Sequence, residues 1–116
     1  MRVRSIEVAL VAGLAGVAGC KADPTGGSID GRAIYQSMCS SCHGPTGKPP
    51  EAMAARLGVS DLTAPDVRER LSPAHVAQQV RQGSTNKLMP SFAGALSDAQ
   101  IEAVSQFVAS PELTKR

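Results

Sequence analysis

Residues 39–43 run Cys39-Ser40-Ser41-Cys42-His43, two thiols three positions apart with an imidazole directly behind the second. Several chemistries use closely spaced thiols, and the rest of the chain discriminates among them. A thioredoxin-like redox pair normally opens a helix that follows a strand, and no βαβ pattern is present. A zinc half-site needs further Cys or His at ligand spacing, and only His75 is available. A structural disulfide is chemically possible in an exported chain, but this spacing closes a tiny loop and gains little.

The remaining reading is C-x-x-C-H as the attachment signature of a c-type haem. Two thiols at this spacing reach the two vinyl groups of one porphyrin and form thioethers. The adjacent His43 then points at the iron from one face, the usual proximal ligand of haem iron. Cys39 and Cys42 are therefore the candidate covalent attachment sites, and His43 is the candidate axial ligand.

The composition agrees that something other than side chains fills the centre. The chain has 116 residues, room for one domain, and is 42% hydrophobic but only 3% aromatic, with no Trp. Its apolar content is largely Ala and Val, which bury little area at roughly 25 cal/mol per Å². Chains this small often need a disulfide, a metal or a partner to offset chain entropy. The net charge is +2, with no basic run and no aromatic–basic interleaving, so a nucleic-acid footprint is missing. No apolar stretch reaches the roughly eighteen residues of a membrane span.

Upstream of the motif lies an address. Arg2 and Arg4 open the chain, Val8 to Ala18 is an apolar run of signal-peptide length, and Val17-Ala18-Gly19-Cys20 resembles the bacterial lipobox. In that reading residues 1–19 are removed and Cys20 is lipidated. This also explains an odd cysteine count in an exported protein. A short buried helix with an incidental Cys is the competing reading, and the positive start and the missing interior polar residues weigh against it. Residues 20–29 follow as the lipidated Cys and a flexible tether of small, polar and turn residues, spanning roughly 15–20 Å root-mean-square. The domain proper is expected over residues 30–116.

Within it, four helical signals are legible and no period-2 alternation is. Asp30 is an N-cap, with Ile29 and Ile34 placed as a hydrophobic staple and Ile34, Tyr35 and Met38 as apolar positions. Pro65 opens a short helix carrying Val67 and Leu71. Ser72 and Pro73 open a third, with Val76 and Val80 on one face and Gly83 as its stop. Ser97-Asp98-Ala99-Gln100 is a capping box stapled by Leu96 and Ile101, followed by Ile101, Val104, Phe107 and Val108. The connections Gly44 to about Ala64 and Gly83 to Ala95 are long for so small a domain, and such loops are usually functional.

In this order the features resemble a monohaem class I cytochrome c from about Asp30 to Val108. Gly31 and Tyr35 resemble the family's Gly-x-x-x-aromatic pattern in its first helix. Cys39-Ser40-Ser41-Cys42-His43-Gly44 matches its haem site, and Gly44-Pro45-Thr46-Gly47 resembles the turn that follows. Leu88-Met89-Pro90-Ser91-Phe92 resembles the segment supplying the second axial ligand, and Leu96 to Ile101 the start of its last helix. The resemblance implies an all-α, cytochrome c-like fold of about four helices wrapped round one covalent haem c. It also implies that the first and last helices cross at Gly31, Tyr35 and Phe107. It further implies that a proline carbonyl orients His43, with Pro49 and Pro50 both open.

The sixth coordination position has four candidates. Met38 sits beside Cys39 on the same element and cannot reach the opposite face. Met53 lies soon after His43, in a loop expected to line the proximal side. His75 falls in the first turn of a helix, expected as a solvated residue. Met89 lies between two helices with Pro90 stiffening the backbone behind it, and a ligand belongs on such a braced loop. Resemblance and placement agree on Met89 as the distal ligand.

Function follows as outer-sphere electron transfer between redox protein partners, on the periplasmic side of a bacterial membrane, by a chain held there through lipid at Cys20. Both axial positions filled leave no site for a small-molecule substrate, and no nucleophile–base constellation suggests an enzyme. Three alternatives stay open: a five-coordinate haem sensor or peroxidase-like enzyme, an electron-delivering subunit of a membrane oxidase or dehydrogenase, and a non-haem thiol-redox module.

Overall fold

The computed structural model describes residues 25–116. The signal segment 1–19, Cys20 and the first part of the tether lie outside the described residues. Among the described residues there are six α-helices, one 3-10 turn and no strand, so the all-α reading holds. The helices are α1 Gly31–Met38, α2 Ser40–His43, α3 Glu51–Leu57, α4 Pro65–Arg70, α5 Pro73–Gln82 and α6 Asp98–Ala109, followed by the 3-10 turn Pro111–Thr114. None is long and apolar enough to cross a membrane.

The caps fall where the side chains dictate. Asp30 accepts the Arg32 and Ala33 N–H groups at the start of α1. Ser72 accepts the His75 N–H at the start of α5, with Pro73 in its first position. The Ser97–Gln100 box is closed both ways: Ser97 Oγ accepts the Gln100 N–H at 3.2 Å, and Gln100 Oε1 accepts the Ser97 N–H at 2.9 Å. The staple across the α1 cap does not form, because Ile29 is 71% exposed while Ile34 is fully buried.

Two helices exceed the expected four. The haem motif itself closes a separate turn, α2. The stretch Glu51 to Leu57, expected as loop, is helical as α3. Its residues are strong helix formers with Glu51 in the first turn and Gly58 at the end. It has no side-chain cap and no buried residue, so neither sign that marks α1, α5 and α6 was present in the sequence.

The core lies where α6 packs on both α1 and α5. Ile34 and Tyr35 of α1, Val76, Ala77 and Val80 of α5, and Ile101, Val104 and Val108 of α6 are all buried. Gly31 lets α1 approach α6 at backbone distance: a Cβ built there would stand 2.2 Å from the Ala103 carbonyl oxygen. Tyr35 and Phe107 pack at that crossing with ring centroids 5.6 Å apart, and the Arg32 guanidinium lies 5.0 Å over the Phe107 ring.

Two further ties complete the frame. The Arg68 guanidinium donates to the carbonyls of Val108, Ala109 and Ser110 at 2.8, 3.2 and 2.9 Å. A cation thus satisfies the unpaired carbonyls at the C-terminus of α6 and fastens α4 there. At the other end of α6, buried Gln100 donates to Thr25 Oγ1 at 2.8 Å and to the Ser28 carbonyl at 3.1 Å. The last residues of the stretch read as tether are therefore bonded to the head.

Candidate functional site

The thiol pair owes its position to two short-range bonds. The Cys39 N–H donates to the Tyr35 carbonyl at 2.9 Å, which ends α1, and the Gly44 N–H donates to the Ser40 carbonyl at 2.8 Å, which ends α2. Between them the backbone makes one turn that carries Cys39, Cys42 and His43 to one wall of a cavity of about 480 Å³. That volume lies within the 300–1,000 Å³ typical of cofactor sites. The Tyr35 hydroxyl donates to the Gly44 carbonyl at 2.7 Å and pins the exit of the motif. Burial, reinforced by nearby Cys39, keeps that hydroxyl protonated far above the usual tyrosine value.

Both thiols are free and half-buried. Burial and the neighbouring Cys42 push the Cys39 thiol up to about 11. A thiol raised in this way is a poor nucleophile near neutral pH. Among the described residues no group of three or more His, Cys, Asp or Glu could hold a metal ion.

Burial also holds His43 below the ordinary histidine value, with the Ser60 main chain pulling the other way. The ring is thereby kept neutral, the form that can donate a lone pair to a metal. Its Nδ1 is buried without a hydrogen-bond partner. Neither Pro49 nor Pro50 supplies the orienting carbonyl that the family resemblance implied. Ser60, beyond the unforeseen helix α3, is the main-chain group that approaches the ring.

The chain's far half reaches the same cavity. Met89 lines it together with Val80 of α5 and Val104 and Val108 of α6. Cys39, Cys42, His43 and Met89, picked from the sequence across fifty positions, thus share one site. Met38 and His75 also border it, while Met53 does not. His75 is exposed, as expected of a solvated residue, but it sits on the cavity rim with Nδ1 3.1 Å from the Arg70 carbonyl. The segment Leu57 to Ser60 on the wall went unforeseen, as did Ser84 and Asn86 beside Met89. For the last two, the turn-rich run Gly83-Ser84-Thr85-Asn86 was the available signal.

The family model described as cytochrome c oxidase, cbb3-type, subunit III matches residues 29–108. The chain belongs to that family of cytochrome c domains. The cytochrome is 34% identical over 83 residues to the dihydro-heme d1 dehydrogenase of Pseudomonas aeruginosa, covering 71% of this chain and 15% of that protein. It therefore spans a small part of its curated relative. In fold it resembles the KustC0563 c-type cytochrome, with a TM-score of 0.61 at 24% identity over 69% of this chain and 94% of that one. A mutant of that protein gives 0.61 at 22% identity over 69% and 95%.

A domain of this family binds haem c and transfers electrons with redox partners. The residues present fit the group. The cavity is apolar on most of its walls, two unpaired thiols and a neutral imidazole line one side, and a thioether stands within the same lining.

Proposed function

We propose that this chain is an exported, membrane-tethered monohaem cytochrome c that passes single electrons between redox protein partners by outer-sphere transfer. Cys39 and Cys42 fix one haem covalently, His43 is its proximal axial ligand and Met89 its distal one. What carries this reading is the convergence of those four side chains on one cavity. When bound, the haem supplies a one-electron couple. The chain's own residues do the rest. His43, kept neutral by burial, offers a lone pair. Met89 offers a soft thioether, which favours the reduced metal and raises the potential. Buried Val76, Val80, Val104 and Val108 exclude water from the site. With both axial positions taken, no substrate meets the metal.

Absorption spectra of the oxidised and reduced protein test this. A weak far-red ferric band marks thioether ligation, and Met89→Ala should abolish it and lower the potential. A high-spin spectrum in the unaltered protein would refute the carrier reading in favour of a five-coordinate sensor or peroxidase-like site.

Attachment through Cys20 places the domain on the periplasmic side of a bacterial membrane. Support comes from the lipobox-like tetrad behind a basic start and an apolar run. Cys20→Ser should release the protein to the soluble fraction, and continued membrane attachment would count against lipidation.

Two findings favour a second reading, that the domain delivers electrons inside a larger assembly. Its family model describes an oxidase subunit, and its Pseudomonas relative is named as a dehydrogenase. Co-purification of a large partner after mild detergent extraction would support that reading, and a chain that always runs alone would oppose it.

A further inference from the structure

Both main-chain polar groups of Met89 end on one residue. The Ser84 N–H donates to the Met89 carbonyl at 2.9 Å, and the Met89 N–H donates to the Ser84 hydroxyl oxygen at 2.9 Å. That hydroxyl in turn donates to Asn86 Oδ1 at 2.6 Å, and the same amide oxygen accepts the Leu88 N–H at 3.1 Å. The Lys87 N–H closes the turn onto the Ser84 carbonyl at 3.0 Å. Residues 84–89 therefore form a loop bonded to itself at its neck, with Met89 at the neck rather than at the tip.

The loop is held against its own backbone preference. Lys87 has φ +61°, the left-handed region that side chains other than Asn and Asp rarely enter. Such a conformation persists only where surrounding bonds over-determine it. Behind the neck, a Cβ on Gly83 would stand 2.6 Å from the Met89 carbonyl oxygen, so the loop is seated directly on the end of α5. Beyond it, Ser91 Oγ donates to the Arg81 carbonyl at 2.5 Å and the Phe92 N–H to the Val80 carbonyl at 2.9 Å.

We propose that Ser84 and Asn86 form a latch that holds Met89 at the metal, so that the loop, as well as the sulfur–iron bond, keeps exogenous ligands off the iron. This rests on Met89 as the distal ligand. The physical reason is the weakness of what the latch assists. A thioether is a neutral, weak donor on a flexible side chain. Left on an unfastened loop it would leave the metal readily and open the site. A competing ligand binds only the open fraction, so its apparent affinity falls in proportion to how rarely the loop opens. Ser84 and Asn86 line the cavity beside Met89 and are not metal ligands in this account. They are positioning residues that act through Met89.

The test is a titration of the haem-loaded, ferric, full-length protein with imidazole, followed by loss of the far-red thioether band. Ser84→Ala removes both hydroxyl bonds and should raise the apparent imidazole affinity about five- to tenfold. Ser84→Thr keeps a hydroxyl and should restore the original affinity to within about twofold. Lys87→Gly relieves the left-handed strain and should lower the affinity about threefold, which keeps the test open if Ser84→Ala folds poorly. Ser97→Ala removes the N-cap of α6, off the cavity lining, and should leave the affinity unchanged. An unchanged affinity in both Ser84→Ala and Lys87→Gly, with the band intact, overturns the latch while leaving Met89 as ligand. An equal rise in Ser97→Ala also overturns it, because general softening would then explain the effect. An unaltered protein that lacks the band overturns both the ligand assignment and the latch.

Discussion

Replacing Gly31 by alanine adds one methyl group at the tightest point of the α1–α6 crossing. The new Cβ would stand 2.2 Å from the Ala103 carbonyl oxygen and 2.9 Å from Phe107 Cβ, where ordinary contact begins near 3.4 Å. Relief therefore needs a withdrawal of about 1.2 Å, the gap between 3.4 and 2.2 Å, and the nearest atom is main chain with no rotamer to move. Two effects oppose each other. Alanine in place of glycine gains up to about 1 kcal/mol of helix propensity, and less in the first turn, where Gly31 sits. Over-packing costs typically about 1–3 kcal/mol, and here the withdrawal also loosens Ile34 and Tyr35 against Ile101 and Val104. The second effect wins, with a net loss of about 2 kcal/mol. In guanidinium unfolding of the haem-loaded protein, an m-value of about 3 kcal/mol per M turns this into a midpoint fall of about 0.7 M. Gly94→Ala is the control, since nothing lies within 4 Å of its Cβ position. It should be neutral or stabilising by up to about 1 kcal/mol. A Gly31→Ala midpoint equal to or above that of the unaltered protein would refute the close-approach account of the crossing.

Arg68→Ala strands three carbonyls at the end of α6 and should cost about 2 kcal/mol, measured by the same unfolding; a change below about 0.5 kcal/mol would show that solvent replaces the guanidinium. Ser105→Ala removes a fully buried hydroxyl with no hydrogen-bond partner, so the thermal midpoint should hold or rise, and a clear fall would reveal a bond to that oxygen. Bonds from Thr63 hold the Asp61 carboxyl below the usual value, so its contribution to stability is present above about pH 4 and disappears as pH falls through the depressed folded value. Asp61→Asn should flatten the loss of stability between about pH 5 and 2, and an identical acid profile in the variant would sink this. The chain expressed without haem should be largely unfolded by circular dichroism, because the walls of a cavity of about 480 Å³ would otherwise stay apolar and unfilled. A cooperative melt of that form would contradict it.

Local chemistry was legible in the sequence wherever a short stretch carries its own signal. The N-caps Asp30, Ser72 and Ser97 and the prolines opening α4 and α5 are such stretches, because a cap is satisfied within four residues. The motif Cys39 to His43 is another, since the spacing of two thiols and an imidazole decides which group they can hold. Gly31, Tyr35 and Phe107 were placed at the helix crossing by family resemblance, and the packing agrees. Helix α3 was not legible, because an exposed helix without a side-chain cap leaves no apolar stripe, and Gly58 at its end does not by itself mark a start. The bond from a proline carbonyl to His43 was expected and is missing: Nδ1 is buried without a partner, and the Ser60 main chain lies beside the ring. Where Ser60 lies depends on where α3 delivers the chain, which no local pattern encodes.

The sequence by itself singled out the candidates: Cys39, Cys42 and His43 by residue type and spacing, and Met89 by its braced loop together with the family resemblance. Only the tertiary structure decided that they meet at one cavity. The α1–α6 crossing sets one wall of it, and α5 with its Ser84–Met89 neck sets another. Those placements rest on contacts between residues far apart in the chain, such as Arg68 with the end of α6. Their strength comes from burial and from paired backbone groups, and both exist only once the helices are packed.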